Sequence, residues 1–169
     1  HATIRRQRQM CIRDSMSKLL PIARAFAHPP ISDFHVGAVA QGTSGDLILG
    51  ANLEFTGMSL NATVHAEQAA VARAHQHGEN GIVALAVNGA PCGHCRQFLT
   101  EINNPDLIIT SPGIDRQPLH TLLPDAFTPS SLNNPGGLLD SPYHGLTHPE
   151  AESDELIGAA LKAANRSYA

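Results

Sequence analysis

The sequence predicts an α/β protein, a three-layer sandwich in which one mixed β-sheet is flanked by helices. Three observations carry this expectation. The short apolar runs at 82–87 (IVALAV) and 107–110 (LIIT) suit strands covered on both faces. Helical patterns at 64–76 and 92–102 alternate with them, so crossover connections follow. Upstream, 35–41 and 47–52 read as strands around the turn signal Thr43-Ser44-Gly45-Asp46, a hairpin that adds antiparallel pairing to the sheet.

Taken in order, residues 1–15 (HATIRRQRQMCIRDS) contain Arg5, Arg6, Arg8 and Arg13 without the apolar segment of a secretory signal. MCIRDS resembles a translated sequencing-adapter remnant, so 1–15 is expected to be a non-native or disordered extension. A helix is expected over 16–27, with Leu19, Leu20, Ile22, Ala23 and Phe26 on one apolar face and Pro29 and Pro30 ending it. Residues 54–63 read as a loop. The helix that follows has Thr63 as its expected N-cap and Gly78 as its stop, and Pro91 is well placed just ahead of the next helix. From 111 to 149 recurrent prolines and Gly136-Gly137 describe a long irregular connection, in which only Leu122 to Phe127 (LLPDAF) concentrates apolar side chains. A last helix, 155–167, puts Leu156, Ile157, Ala160, Leu161 and Ala164 on a face that needs covering.

Composition narrows the function classes. A chain of 169 residues, 42% hydrophobic and 15% charged, is globular and long enough for one good core. No apolar run approaches the roughly 20 residues of a membrane helix. A formal charge of −4 argues against a general nucleic-acid binder, and without 1–15 the chain is more acidic still. Three cysteines make no disulfide framework and suit a reducing, cytoplasmic setting.

The stretch 65–96, HAEQAAVARAHQHGENGIVALAVNGAPCGHCR, concentrates the chemistry. Cys92 and Cys95, three apart on a first helical turn, point their thiols the same way, and the positive end of the helix favours thiolates. Zinc suits two thiolates and an imidazole, here His65, and three protein ligands leave the fourth tetrahedral position to water. In mid-helix His65 and Glu67 would face nearly opposite sides; at a helix N-terminus aimed end-on, both reach one site. Glu67 is then free as a proton carrier. A structural zinc knot or a chance Cys-x-x-Cys is the competing reading. The joint presence of His-x-Glu and Pro-Cys-x-x-Cys, the zinc-deaminase signature, weighs against it.

These residues resemble a known family. VHAEQAA and APCGHCRQFL, preceded by SDFHVGA and ANLEF, look like bacterial cytidine deaminase, and histidine as first ligand makes the chain similar to the dimeric, two-domain class. The resemblance implies a catalytic domain over 16–128, a linker over 129–152 and the start of a second deaminase-like domain over 153–169. It implies one Zn²⁺ on His65, Cys92 and Cys95 with Glu67 as proton shuttle. Asn52 and Glu54 match the pair that hydrogen-bonds the ribose hydroxyls, and Phe34 matches the aromatic packed against the pyrimidine. The backbone groups of Ala66 and Ala90 match contacts to the ring's carbonyl and amino groups. Phe127 matches a residue that reaches the neighbouring subunit's active site in a homodimer. The implied reaction is hydrolysis of cytidine or deoxycytidine to the uracil nucleoside and ammonia, a step of pyrimidine salvage in the cytoplasm.

Alternatives stay open at this point. Phe34 alone reads as core packing and Asn52 as a strand-end turn former. His94 lies at the wrong phase to share the cysteines' metal, and Arg96 reads either as a donor towards a thiolate or as a surface residue. A polynucleotide deaminase shares the zinc motif but needs a basic channel with stacking aromatics, against which stand an acidic body and 4% aromatic residues. A zinc-binding module without activity would need a protein group in the fourth position.

Overall fold

The computed structural model describes residues 2–140 and 143–167, with side chains from residue 14 onward. Five strands, β1 (Gly37–Gly42), β2 (Leu47–Ala51), β3 (Ile82–Val87), β4 (Ile108–Ser111) and β5 (Ile114–Pro118), form one sheet in the order β2-β1-β3-β4-β5. β3 and β4 pair in parallel and the other neighbours are antiparallel, so the sheet is mixed. Helix α1 (Ala2–Ala25) covers one face; α2 (Ala66–Gln76) and α3 (Gly93–Thr100) cover the other.

Strand alternation sorts the side chains between these layers. Ala38, Ala40, Leu85 and Val87 pack with Ala66, Ala70, Val71 and Ala74 of α2 and Leu99 of α3. Val39 and Ala86 point the other way, onto Met16 and Ala23 of α1. Two strand glycines let the helices come close. A Cβ at Gly50 would overlap the Ala66 carbonyl and the Ala70 amide of α2, and one at Gly37 would overlap the backbone of Ala23 and Arg24 of α1. The site-bearing helix therefore sits directly against β2.

Four expectations need correcting. α1 runs back to Ala2, continues through Pro21 and stops at Ala25; Arg5, Arg6, Arg8, Cys11 and Arg13 lie outside the described side chains. Its buried face is Met16, Leu19, Leu20 and Ala23, whereas Ile22 and Phe26 are 50% and 74% exposed. Within the stretch expected to be irregular, β5 and a short helix α4 (Leu119–Leu122) form, because β4 offers β5 an open edge for pairing. Of the apolar stretch 122–127 only Leu122 packs against the core, whose buried residues from this part of the chain are Leu119 and Leu139.

The last helix, α5 (Glu155–Ala164), is capped by Asp154, whose carboxylate accepts from the amides of Leu156 and Ile157. It buries none of its residues, and Leu156 is exposed. No helix among the described residues is long and apolar enough to cross a membrane.

Candidate zinc site and its cleft

α3 starts shortly after the carboxyl end of β3, and Val64, just ahead of α2, pairs with Leu53 just past the carboxyl end of β2, so both helices start at the same end of the sheet. Two of the three metal donors are the N-cap residues of these helices. His65 caps α2 with extended backbone (φ −81°, ψ 156°), and Cys92 caps α3 (φ −70°, ψ 166°). His65, not Thr63, is thus the cap. Thr63 instead donates from its hydroxyl to the Leu60 carbonyl. The cap position answers the spacing problem: His65 lies outside the helical spiral and Glu67 in its first turn, so both face the same point.

His65 Nδ1 lies 3.5 Å from Cys92 Sγ and 3.3 Å from Cys95 Sγ. The three donor atoms fall within 4.8 Å of one another, the one such convergence of metal-ligating side chains among the described residues. Cys92 Sγ also accepts from the Cys95 amide at 3.4 Å. Cys95 is fully buried and Glu67 is 4% exposed. Burial pushes the Cys95 thiol up, and the neighbouring Glu67 carboxylate and Cys92 add to the rise. A buried thiol and a buried carboxylate beside a second, exposed cysteine are unfavourable unless a cation joins them, and a bound cation reverses that balance. Arg96 does not supply the charge. It donates from Nε to the Pro91 carbonyl (3.0 Å) and from its terminal nitrogen to the Leu122 carbonyl (2.9 Å), tying α3 to α4. Two soft thiolates and one imidazole in this geometry fit zinc.

A cleft of about 220 Å³ opens beside these donors. Phe34, Asn52, Glu54, Ala66 and Ala90 line it together with Glu67, and Gly89 faces the Phe34 ring. Phe127 does not line it. The residue is 58% exposed, while its carbonyl accepts from Gln97 (2.6 Å) and Thr100 (3.2 Å).

Asn52 and Glu54 build the wall before they can touch any ligand. Asn52 accepts from the Val36 amide (2.8 Å) and donates to the Phe34 carbonyl (2.9 Å). Glu54 accepts from the amides of Ile31 and Ser32, both at 2.9 Å, and from the Ser32 hydroxyl at 2.5 Å. Burial alone would raise the Glu54 carboxyl, but these donors, the Ser32 hydroxyl first, outweigh it and hold it below its ordinary range.

Three contributors escaped sequence reasoning. Ser32 was hidden because its partner lies 22 residues away; its own signal is a hydroxyl two residues before Phe34, the pattern of a serine turn. Asn88 holds the amide of Gly37 (2.6 Å) and donates to the His35 carbonyl (3.3 Å). Gln68 accepts from the His65 amide at 2.9 Å and meets His94 Nε2 at 3.0 Å, so it bridges the starts of α2 and α3. Gln68 follows Glu67 at the third helical position, where a glutamine closes a capping box. His94 is exposed, with its ring 5.5 Å from that of His65.

Fold and donor set together define a zinc-binding α/β protein whose ligands sit at the N-termini of two helices, beside a small cleft. The family profile described as the cytidine and deoxycytidylate deaminase zinc-binding region matches residues 10–111, and a second profile of the same description matches 119–169. The chain belongs to this family, and His65, Cys92 and Cys95 are its zinc ligands. It is 47% identical over 152 residues to a cytidine deaminase of Photobacterium profundum, covering 89% of this chain and 51% of that one. A cytidine deaminase of Yersinia pestis is 50% identical with the same coverage. The chain thus spans about half the length of these curated relatives. The crystal structure of cytidine deaminase from Mycobacterium tuberculosis superposes with a TM-score of 0.62 at 36% identity, covering 68% of this chain and 95% of that one.

Proposed function

We propose that this chain carries the catalytic unit of a cytidine deaminase, which hydrolyses cytidine, and deoxycytidine as well, to the uracil nucleoside and ammonia. The observation that carries the reading is the position of Glu67: a buried carboxylate beside the zinc ligands, at the floor of a cleft just large enough for one small ligand. Zinc, when bound, supplies the Lewis acidity that makes water a nucleophile near neutral pH.

The chain's own groups do the rest. Glu67 takes a proton from the attacking water and delivers it to the ring nitrogen beside the amino-bearing carbon as the new C–O bond forms. It then carries a second proton to the amino nitrogen. The C–N bond breaks, ammonia departs, and the ring keeps a carbonyl. Phe34 stacks on the base, the backbones of Ala66 and Ala90 read its polar edge, and Glu54 with Asn52 meets the sugar hydroxyls. Glu54 suits that task because its carboxylate stays charged.

Residues 16–128 form the catalytic unit in this reading, 129–152 connect, and 153–169 begin a second deaminase-like domain, with 1–15 outside the functional unit. A second copy as partner is part of the same reading, supported by the exposed Phe127 ring on an anchored backbone, and a reducing cytoplasm suits two ligating thiols. The test is loss of cytidine absorbance with zinc quantified in the same sample, for the parent chain and Glu67→Gln. The variant is expected to keep its zinc and lose at least about a hundred-fold in kcat, the scale of acid–base catalysis. A zinc-replete Gln variant with parental turnover would refute the role of Glu67.

A further inference from the structure

We infer that Ser32 is a positioning residue that locks the Glu54 carboxylate to the backbone of Phe34, so that two walls of the cleft are held as one unit. The inference rests on the reading of the cleft as a nucleoside site.

A serine hydroxyl has one proton to give. Here it goes to Glu54 Oε1 at 2.5 Å, because a carboxylate only accepts. The lone pairs that remain accept the Phe34 amide at 3.1 Å. The direction of both bonds is therefore settled, and Ser32 Oγ joins a side chain beyond the end of β2 to the backbone of the aromatic residue. Phe34 is gripped a second time at its carbonyl, by Asn52. Between Ser32 and Phe34, Asp33 adopts φ +53°, a left-handed conformation that a non-glycine residue keeps only when its surroundings hold it. Phe34 is 60% exposed, so side-chain packing does little to place it and the backbone tethers must.

The tether also selects which carboxylate oxygen faces a ligand. Glu54 Oε2 accepts two amides, those of Ile31 and Ser32, whereas Oε1 accepts only the Ser32 hydroxyl. Oε1 keeps acceptor capacity for an incoming hydroxyl, and Ser32 fixes its direction.

The zinc-loaded full chain and its Ser32→Ala and Ser32→Thr variants distinguish this from a merely structural role. Ser32→Ala is expected to raise KM for cytidine about ten-fold, the scale of a lost hydrogen bond to a charged group, with kcat within about two-fold of the parent. Ser32→Thr, which keeps the hydroxyl, is expected to restore most of the KM. Independently of turnover, the Glu54 carboxyl followed by ¹³C NMR should titrate at higher pH in the Ala variant and near the parental pH in the Thr variant. An unchanged KM in Ser32→Ala, or an unchanged Glu54 titration, overturns the inference. A parent chain that binds zinc but leaves cytidine untouched sinks the nucleoside reading instead, and the Glu54 titration still decides the tether.

Discussion

Cys95 Sγ lies 3.3 Å from His65 Nδ1, although 30 residues separate them along the chain. Neither residue reaches the other locally. β3, with the turns on either side of it, brings the two helix starts to one place, where the buried sulfur meets the imidazole.

That relationship predicts the response to ligand removal. Cys92→Ala or Cys95→Ala should lower bound zinc from about one per chain to near none, since two remaining donors make a poor zinc site. Metal analysis after gel filtration checks this, with circular dichroism showing whether the fold survives.

Gln68 ties the two ligand-bearing helix starts through the His65 amide and His94. Gln68→Met keeps the length and removes both bonds. Loss of zinc to a coloured chelator should then be on the order of ten-fold to a hundred-fold faster, the usual effect of removing support around a metal ligand.

Gly50 has no room for a side chain, because the Ala66 carbonyl and Ala70 amide occupy the space. Gly50→Ala should push α2 off β2 and cost about 1–3 kcal/mol of stability, as overpacking does. A lowered Tm with weakened zinc retention is the expected pair of results, because Ala66 adjoins His65.

Glu79 sits under the β1–β2 turn, 6% exposed, and accepts from the Ser44 hydroxyl, the Ser44 amide at 3.2 Å and the Thr43 hydroxyl at 3.3 Å. The Ser44 hydroxyl chiefly, against the opposing effect of burial, holds its carboxyl below the ordinary value of 4.5. A carboxyl with a lower pKa folded than unfolded stabilises the fold fully above the unfolded value, and that contribution disappears as pH falls through the folded one. Glu79→Gln should therefore be less stable than the parent at neutral pH, with the gap closing as pH falls below the ordinary value of 4.5 and through the lowered folded one. Urea unfolding across that range measures it.

Much of this was legible in the chain. The run IVALAV at 82–87 coincides with β3, and the turn signal at 43–46 with the hairpin turn, because burial and turn chemistry are local properties. β5 was not legible: Ile114–Pro118 has half-buried ends around three exposed polar residues, and only the free edge of β4 makes it a strand. The apolar face of α1 was misread at Ile22 and Phe26 because an apolar residue near a helix face is buried only where a partner layer reaches it.

By itself the sequence determined the donor chemistry: which residues bind zinc, and which carboxylate stands near them, since these follow from residue type and spacing. The tertiary structure alone decided how those groups are presented. His65 and Cys92 became N-caps, Arg96 turned to the carbonyls of Pro91 and Leu122, and Asn52 and Glu54 were drawn into holding the Phe34 loop. The reason is that each of these groups is placed by backbone amides and carbonyls that become its partners only after the sheet has brought distant segments together.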